Sequence, residues 1–313
     1  MKAKTIKKVI REKVDQWLAS IEDEAVRDLA SKNTIVTGGC IASMLLREPV
    51  NDFDLYFTNR ETTLAVAKYY VARFKSKNAA GIDVPIFVDD KDDRIRIVVK
   101  SAGIASEEGA ETPYEYFESR PADEAGQYVG EVLGDAGDIE EALEETSALA
   151  LEATDDGKPK YRPVFMSTNA ITLSHRVQIV LRFYGDADAI HANYDYVHCT
   201  NYWTSKDGEL TLRQPALESL LARELRYVGS KYPVCSVIRL RKFIKRNWSI
   251  NAGQILKMML QVSELDLKDH NVLRDQLTGV DAAYFVQLVS KIREKDHEKV
   301  DSAYLVEIID RMF

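Results

Sequence analysis

A mixed α/β domain, built on a small sheet with flanking helices and followed by an all-helical C-terminal domain, is the architecture this sequence predicts. Three observations carry the expectation. A β-branched run stops at two glycines, Thr34-Ile35-Val36-Thr37-Gly38-Gly39. A second apolar run is interrupted by carboxylates, Asn51-Asp52-Phe53-Asp54-Leu55-Tyr56-Phe57. From Gln214 onward the apolar residues recur at helical spacing.

The elements follow in chain order. Residues 4–31 place Ile6, Ile10, Val14, Leu18, Ile21, Val26 and Leu29 at helical intervals, which predicts one or two helices before the first strand. Thr34–Thr37 is a strand by its β-branched content, Gly38-Gly39 a tight turn, and residues 40–47 a helix that Glu48-Pro49-Val50-Asn51 breaks. In the next strand, alternation sends Asp52 and Asp54 to one face and Phe53 and Leu55 to the other. A helix over 61–75 and strands over 84–88 and 94–100 come next. Residues 169–173 and 177–183 read as two further strands, joined at Ser174-His175-Arg176, that extend the same sheet. Helices are expected at 214–229, 234–247, 251–263, 281–294 and 298–312. The resulting domains are 1–213, interrupted by an acidic and partly flexible insertion at about 101–160 with a helix from 138 to 151, and 214–313.

With 313 residues and 45% hydrophobic content, the chain is long enough for two cores. It holds no apolar run near the roughly 20 residues that span a bilayer, and Met1-Lys2-Ala3-Lys4-Thr5-Ile6-Lys7-Lys8 lacks the apolar centre of a signal peptide. Cytoplasmic residence, away from a membrane, is the expectation. Cys40, Cys199 and Cys235 are too few and too far apart for a disulfide framework or a zinc spacing, and His198-Cys199 reads as structural. The net charge of −8 is uneven: residues 101–160 hold 17 acids against Arg120, Lys158 and Lys160, so the rest of the chain is basic. A low pI therefore does not exclude a nucleic-acid partner, and the acidic stretch is a solvating loop or a docking segment for a protein.

The chemistry concentrates at the glycines and aspartates. Glycine admits positive φ and a close approach to the backbone, and the start of a helix attracts an anion such as a phosphate. Two carboxylates on one face beside such a turn suit Mg²⁺ or Mn²⁺ bridged to phosphate oxygens. Further along, Arg239, Lys242 and Arg246 share one helical face, a stripe fitted to a triphosphate or an RNA backbone, with Tyr227, Phe243 and Trp248 nearby as core or stacking groups.

Gly38, Gly39, Leu45, Leu46, Asp52 and Asp54 resemble the pattern of the nucleotidyltransferase superfamily, and within it the head domain of tRNA CCA-adding enzymes and poly(A) polymerases. Ala42 and Ser43 stand where that pattern has arginine and aspartate. The block from Val177 to Trp203 is similar to nucleotidyltransferase-like proteins of bacteriophages. The resemblance implies transfer of a nucleoside monophosphate from an NTP to a hydroxyl of RNA (tRNA-like), protein or a small molecule. Asp52 and Asp54 would be catalytic and hold the metal, while Gly38, Gly39, Ser43, Arg239 and Lys242 would bind the nucleotide. It also implies a third carboxylate on the strand that here carries Gln178, with Asp195 as a substitute candidate and turn residue as its other reading. The neutral Gln178 keeps open a non-catalytic binding or structural module, in a phage particle or against a host factor. A toxin-type or defence-related transferase acting on tRNA or protein is a further reading.

Overall fold

The structure, a computed structural model, describes residues 1–77, 86–91, 94–100, 113–114, 116–118, 161–167 and 169–277. The described residues gather into two compact units, one from within Met1–Ala122, Glu145–His191 and Cys199–Ala216, the other from within Ala192–His198 and Leu217–Phe313.

The first unit is an α/β layer. It opens with helices α1 (Ala3–Ala19) and α2 (Glu24–Asn33), then strand β1 (Thr34–Thr37), helix α3 (Gly39–Leu46), strand β2 (Phe53–Phe57) and helix α4 (Arg60–Lys77). Strands β3 (Ile86–Asp89), β4 (Arg96–Lys100) and β5 (Pro113–Tyr114) make a separate three-stranded sheet. The main sheet adds β6 (Tyr116–Glu118), β7 (Pro163–Ser167), β8 (Ala170–Leu173), β9 (Val177–Tyr184), β10 (Tyr202–Thr204) and β11 (Leu210–Thr211), in the order β11-β10-β1-β2-β9-β8-β7-β6. Only β2 and β9 pair in parallel within it; every other described neighbour is antiparallel. A short helix, α5 (Ala187–His191), follows β9.

Alternation divides the sheet into two faces. Val36, Phe53, Leu55, Phe57, Ile171, Leu173, Val177, Ile179, Leu181 and Trp203 point into one core, packed with Ile6, Ile10, Val14 and Trp17 of α1 and with Val66, Tyr70 and Phe74 of α4. Those helix positions recur every three or four residues, so each helix offers the sheet one apolar stripe. Trp17 would leave its indole N–H stranded there, and it donates to Tyr70 Oη at 2.8 Å instead. The opposite face carries the half-buried Asp54, Thr172, Gln178 and Tyr202. Core packing on one face thus fixes which residues line the other.

The second unit is largely helical, with α6 (Gln214–Ala222), which spans the border of the two units, α7 (Pro233–Lys245), α8 (Ala252–Ser263) and α9 (His270–Leu277). The helix expected over 214–229 is shorter than its periodicity suggests. Arg223 adopts φ 48°, which ends α6, and β12 (Glu224–Leu225) then pairs in parallel with β13 (Ser249–Ile250). Helices expected at 281–294 and 298–312 lie outside the described residues, as does most of the acidic stretch. Of the latter, β5 and β6 are described, and β6 pairs with β7 on the main sheet. Among the described residues no helix is long and apolar enough to cross a membrane.

Candidate functional site

The glycine turn forms because β1 must hand over to α3 within two residues. Gly38 takes φ 93° and ψ −151°, a conformation essentially closed to residues with a Cβ. Its N–H donates to Cys199 O at 3.2 Å, so this amide is committed to the protein rather than offered to a ligand. Gly39 is the exposed first residue of α3, where amides have no intrahelical acceptor, and a Cβ built there meets nothing within 4 Å. The two glycines thus divide the work: Gly38 makes the turn, and Gly39 leaves room above the helix N-terminus. Ser43 lies one turn further along α3 and is half-buried; its carbonyl accepts from the Glu48 N–H at 2.9 Å. Arg47, at φ 61°, closes the helix.

Strand β2 begins at Phe53, so Asp52 precedes the ladder and only Asp54 lies within it, a correction to the expectation that both belong to the strand. Both carboxylates nevertheless sit close to the start of α3. Burial first, then Asp54 and Asp52, hold the Cys40 thiol well above its usual range. Ladder register supplies the cross-sheet neighbours. Asp54 pairs with Thr37 on one side and with Gln178 on the other, and Gln178 pairs with Thr172. Directly paired residues share a face, so the only carboxylate in this row stands between a hydroxyl and an amide.

Thr37 is itself held. Its Oγ1 donates to Asn201 O at 2.8 Å and lies 2.8 Å from His191 Nε2. The single hydroxyl proton is taken by the carbonyl, so His191 must donate from Nε2 as a neutral ring. Burial first, and then the charge of Arg213, push the His191 pKa down to about 4, with Asp188 acting in the opposite direction. Arg213 in turn pairs with Asp188, lies over the Tyr202 ring at 5.4 Å, and donates its backbone N–H to Asn201 Oδ1 at 2.8 Å. None of these supports was expected from the sequence, because those to Thr37 join residues more than 150 positions apart and those of Arg213 depend on how its segment folds back on them; the signal available was that Thr37 alternates with Val36 and so faces away from the core.

The segment before Asp54 is clamped by the β8–β9 hairpin. The Phe53 N–H donates to Arg176 O at 2.8 Å, and Arg176 Nη1 donates to Val50 O at 2.8 Å. Asn51 and Asp52 lie between these two attachment points. Gly38, Gly39, Asp52, Asp54 and Gln178 therefore meet at one end of the sheet, where β1 ends and β2 and β9 begin.

The remaining expected site residues belong to the second unit. Asp195 accepts from Arg239 Nη1 at 2.7 Å and from the Tyr196 N–H at 3.1 Å, while its carbonyl accepts from the Val228 N–H at 3.0 Å. Both Asp195 and Arg239 are thus engaged in an ion pair beside the Tyr196–Tyr227 bridge. Lys242 is half-buried on α7. His198 is enclosed by Phe243 and Trp248, with ring centroids 4.8 and 4.5 Å away, and burial pushes its pKa to about 4. It is a core residue, as the sequence suggested.

Among the described residues no group of three or more His, Cys, Asp or Glu side chains gathers to hold a metal. Two carboxylates instead fit a hard cation such as Mg²⁺, which is commonly held by one or two carboxylates and completed by substrate phosphates and water.

Comparison with known proteins adds the following. A protein of Bacillus phage SPbetaL7, "Gabija anti-defense 2", is 22% identical over 119 residues, which cover 38% of this chain and 30% of that protein. Among solved structures, the Thermotoga maritima CCA-adding enzyme complexed with tRNA matches at 12% identity and a TM-score of 0.39, over 91% of this chain and 54% of that one. The Bacillus stearothermophilus CCA-adding enzyme in complex with CTP matches at 10% identity and a TM-score of 0.37, over 86% of this chain and 48% of that one. The chain thus spans about half the length of these enzymes, and no assignment of activity follows from likeness at this level. The family model for Gabija anti-defense 2 family proteins matches residues 8–223, a stretch that holds the glycine turn, both aspartates, Gln178 and His191, and the chain belongs to that family.

Proposed function

We propose that this protein is a metal-dependent nucleotidyltransferase that moves a nucleoside monophosphate from an NTP to a hydroxyl acceptor, and that it acts in this way against a bacterial defence. The observation that carries the reading is the meeting of a helix-opening glycine turn with Asp52 and Asp54 at one sheet end, with Asp54 flanked by Thr37 and Gln178. No packing requirement places two carboxylates beside an open helix N-terminus. A phosphate-bearing substrate with a cation gives them a role.

In this reading Asp52 and Asp54 hold Mg²⁺ or Mn²⁺, and Gly39 receives phosphate oxygens while Gly38 shapes the turn. Ser43 serves the nucleotide, while Arg239 is held by Asp195 within the second unit. The cation would supply charge neutralisation on the phosphates and orient the acceptor hydroxyl. The family name directs the search for an acceptor toward a host defence component, with RNA ends, tRNA-like molecules, protein side chains and small molecules as the classes to test. The acidic stretch is a docking segment for such a partner, and the host cytoplasm is the place of action.

Labelled NTPs, with Mg²⁺ or Mn²⁺ and with total RNA and host protein as acceptors, test the reaction. Wild type is expected to incorporate label, and Asp54→Asn to lose at least about 100-fold while retaining its fold. Absence of incorporation under every condition refutes it. A second reading, a binding module that blocks a partner without chemistry, is favoured by Gln178, which leaves a two-metal arrangement without its third anchor. Asp54→Asn separates the two: the variant keeps its effect on the defence in the second reading and loses it in the first.

A further inference from the structure

A second cluster of charge lies at the turn of the β8–β9 hairpin. Lys13, on α1, is only half exposed, and its Nζ donates to His175 O at 3.2 Å. The same ammonium lies 5.5 Å from the Phe53 ring centroid and 5.9 Å from that of Tyr161. The next residue after His175 is Arg176, whose guanidinium spends Nη1 on Val50 O. Burial first and Arg176 second lower the Lys13 pKa, and burial followed by Lys13 and Arg162 lowers that of His175. Cations have therefore been brought together, and among the described residues neither Lys13 nor Arg176 forms an ion pair with a carboxylate.

The backbone beneath them is strained. His175 adopts φ 64° and Arg176 φ 60°, two successive left-handed residues in a hairpin turn where glycine or asparagine would fit without cost. Strain of this kind persists where a side chain at that position has a use. Here it places one carbonyl on Lys13 and one guanidinium beside the Asp52 loop. The ammonium keeps two of its three protons and the guanidinium four of its five after these bonds, so each of the two neighbouring cations has donors left for a further acceptor.

We propose that Lys13 and Arg176 form an oxyanion site that takes a phosphate group, from a nucleotide or from a nucleic-acid strand, next to the loop that carries Asp52. The site is independent of whether the chain transfers nucleotides, since occupancy by phosphate needs neither Asp54 nor a metal. A phosphate relieves the repulsion between the two cations and uses the donors that the protein leaves over.

Titration of the full chain with inorganic tripolyphosphate and with a single-stranded RNA 10-mer, by calorimetry at low salt, tests the site. Wild type is expected to bind. Lys13→Gln and Arg176→Gln should each weaken binding by about 10-fold or more, Arg176→Lys less than Arg176→Gln, and the exposed control Lys8→Gln not at all. Arg176→Gly removes the side chain and the strain together, so it should lose binding while its thermal midpoint stays level or rises. Tighter binding of the RNA assigns the site to a strand, and tighter binding of tripolyphosphate assigns it to a nucleotide. Asp54→Asn should abolish transfer and leave this binding intact, which keeps the two proposals apart. Equal affinity of wild type, Lys13→Gln and Arg176→Gln overturns the site, as does an Arg176→Gly variant that binds like wild type and melts earlier.

Discussion

Lowering the pH from 7 to 5 should destabilise the first unit, and His191 contributes a separable part of that loss. Its ring is 5% exposed, donates from Nε2 to Thr37, and has its pKa lowered from 6.5 to about 4. The folded protein therefore keeps a neutral ring, whereas the unfolded chain takes up a proton below about pH 6.5. Stability from this group is complete above that value and drains as pH falls toward 4. At about 1.4 kcal/mol per pKa unit the whole effect is roughly 3 kcal/mol, of which about 2 kcal/mol is lost by pH 5. Denaturant unfolding at the two pH values, for wild type and His191→Gln, measures it. The glutamine amide still donates to Thr37 but does not titrate, so the variant's pH-dependent loss should be smaller by about 2 kcal/mol. His175 in the first unit and His198 in the second, both with lowered pKa, add slopes of their own, which the comparison cancels because both proteins contain them. An identical pH slope in the two proteins would falsify the assignment of a neutral buried ring to His191.

Two other outcomes follow from the same sheet end. Gly38→Ala meets a backbone at φ 93° and should cost roughly 1–3 kcal/mol in chemical denaturation, while Gly39→Ala, with open space around it, should change stability by less than about 1 kcal/mol; equal costs would show that the two glycines do not differ in role. Gln178→Asp puts a second carboxylate directly across from Asp54, so it should lower stability by about 0.2–1 kcal/mol without metal and make the thermal midpoint more responsive to Mg²⁺ than wild type; a midpoint that ignores Mg²⁺ in both proteins would count against a cation at this position.

The parts of the fold that were legible in the sequence are those fixed by local pattern. Strand β1 over Thr34–Thr37 is ended by glycines, and α1, α2, α7 and α8 follow apolar periodicity closely. Position Gln178 was recognisable because the run around it alternates and the resemblance marks one place in it. What escaped the sequence depends on non-local pairing or on backbone conformations contrary to residue preference. Arg223 ends α6 at φ 48°, and His175 and Arg176 turn a hairpin at positive φ, where the residue types give no warning. In the sequence Lys13 is a polar position on an amphipathic helix like its neighbours. The pairing of β9 beside β2 places the His175–Arg176 turn against it.

Topology also changes what Gln178 says about the site. In isolation it is a lost carboxylate. In the ladder it is one of two neutral neighbours of Asp54, the other being Thr37, whose hydroxyl proton is already directed to Asn201 by the donation from His191. The row across the sheet at this level is thus hydroxyl, carboxylate and amide. Asp52 stands just outside the ladder, on a loop that Arg176 fastens at both ends. The two aspartates therefore differ in surroundings: Asp54 lies in the ladder between Thr37 and Gln178, and Asp52 lies between the two points at which Arg176 holds Val50 and Phe53.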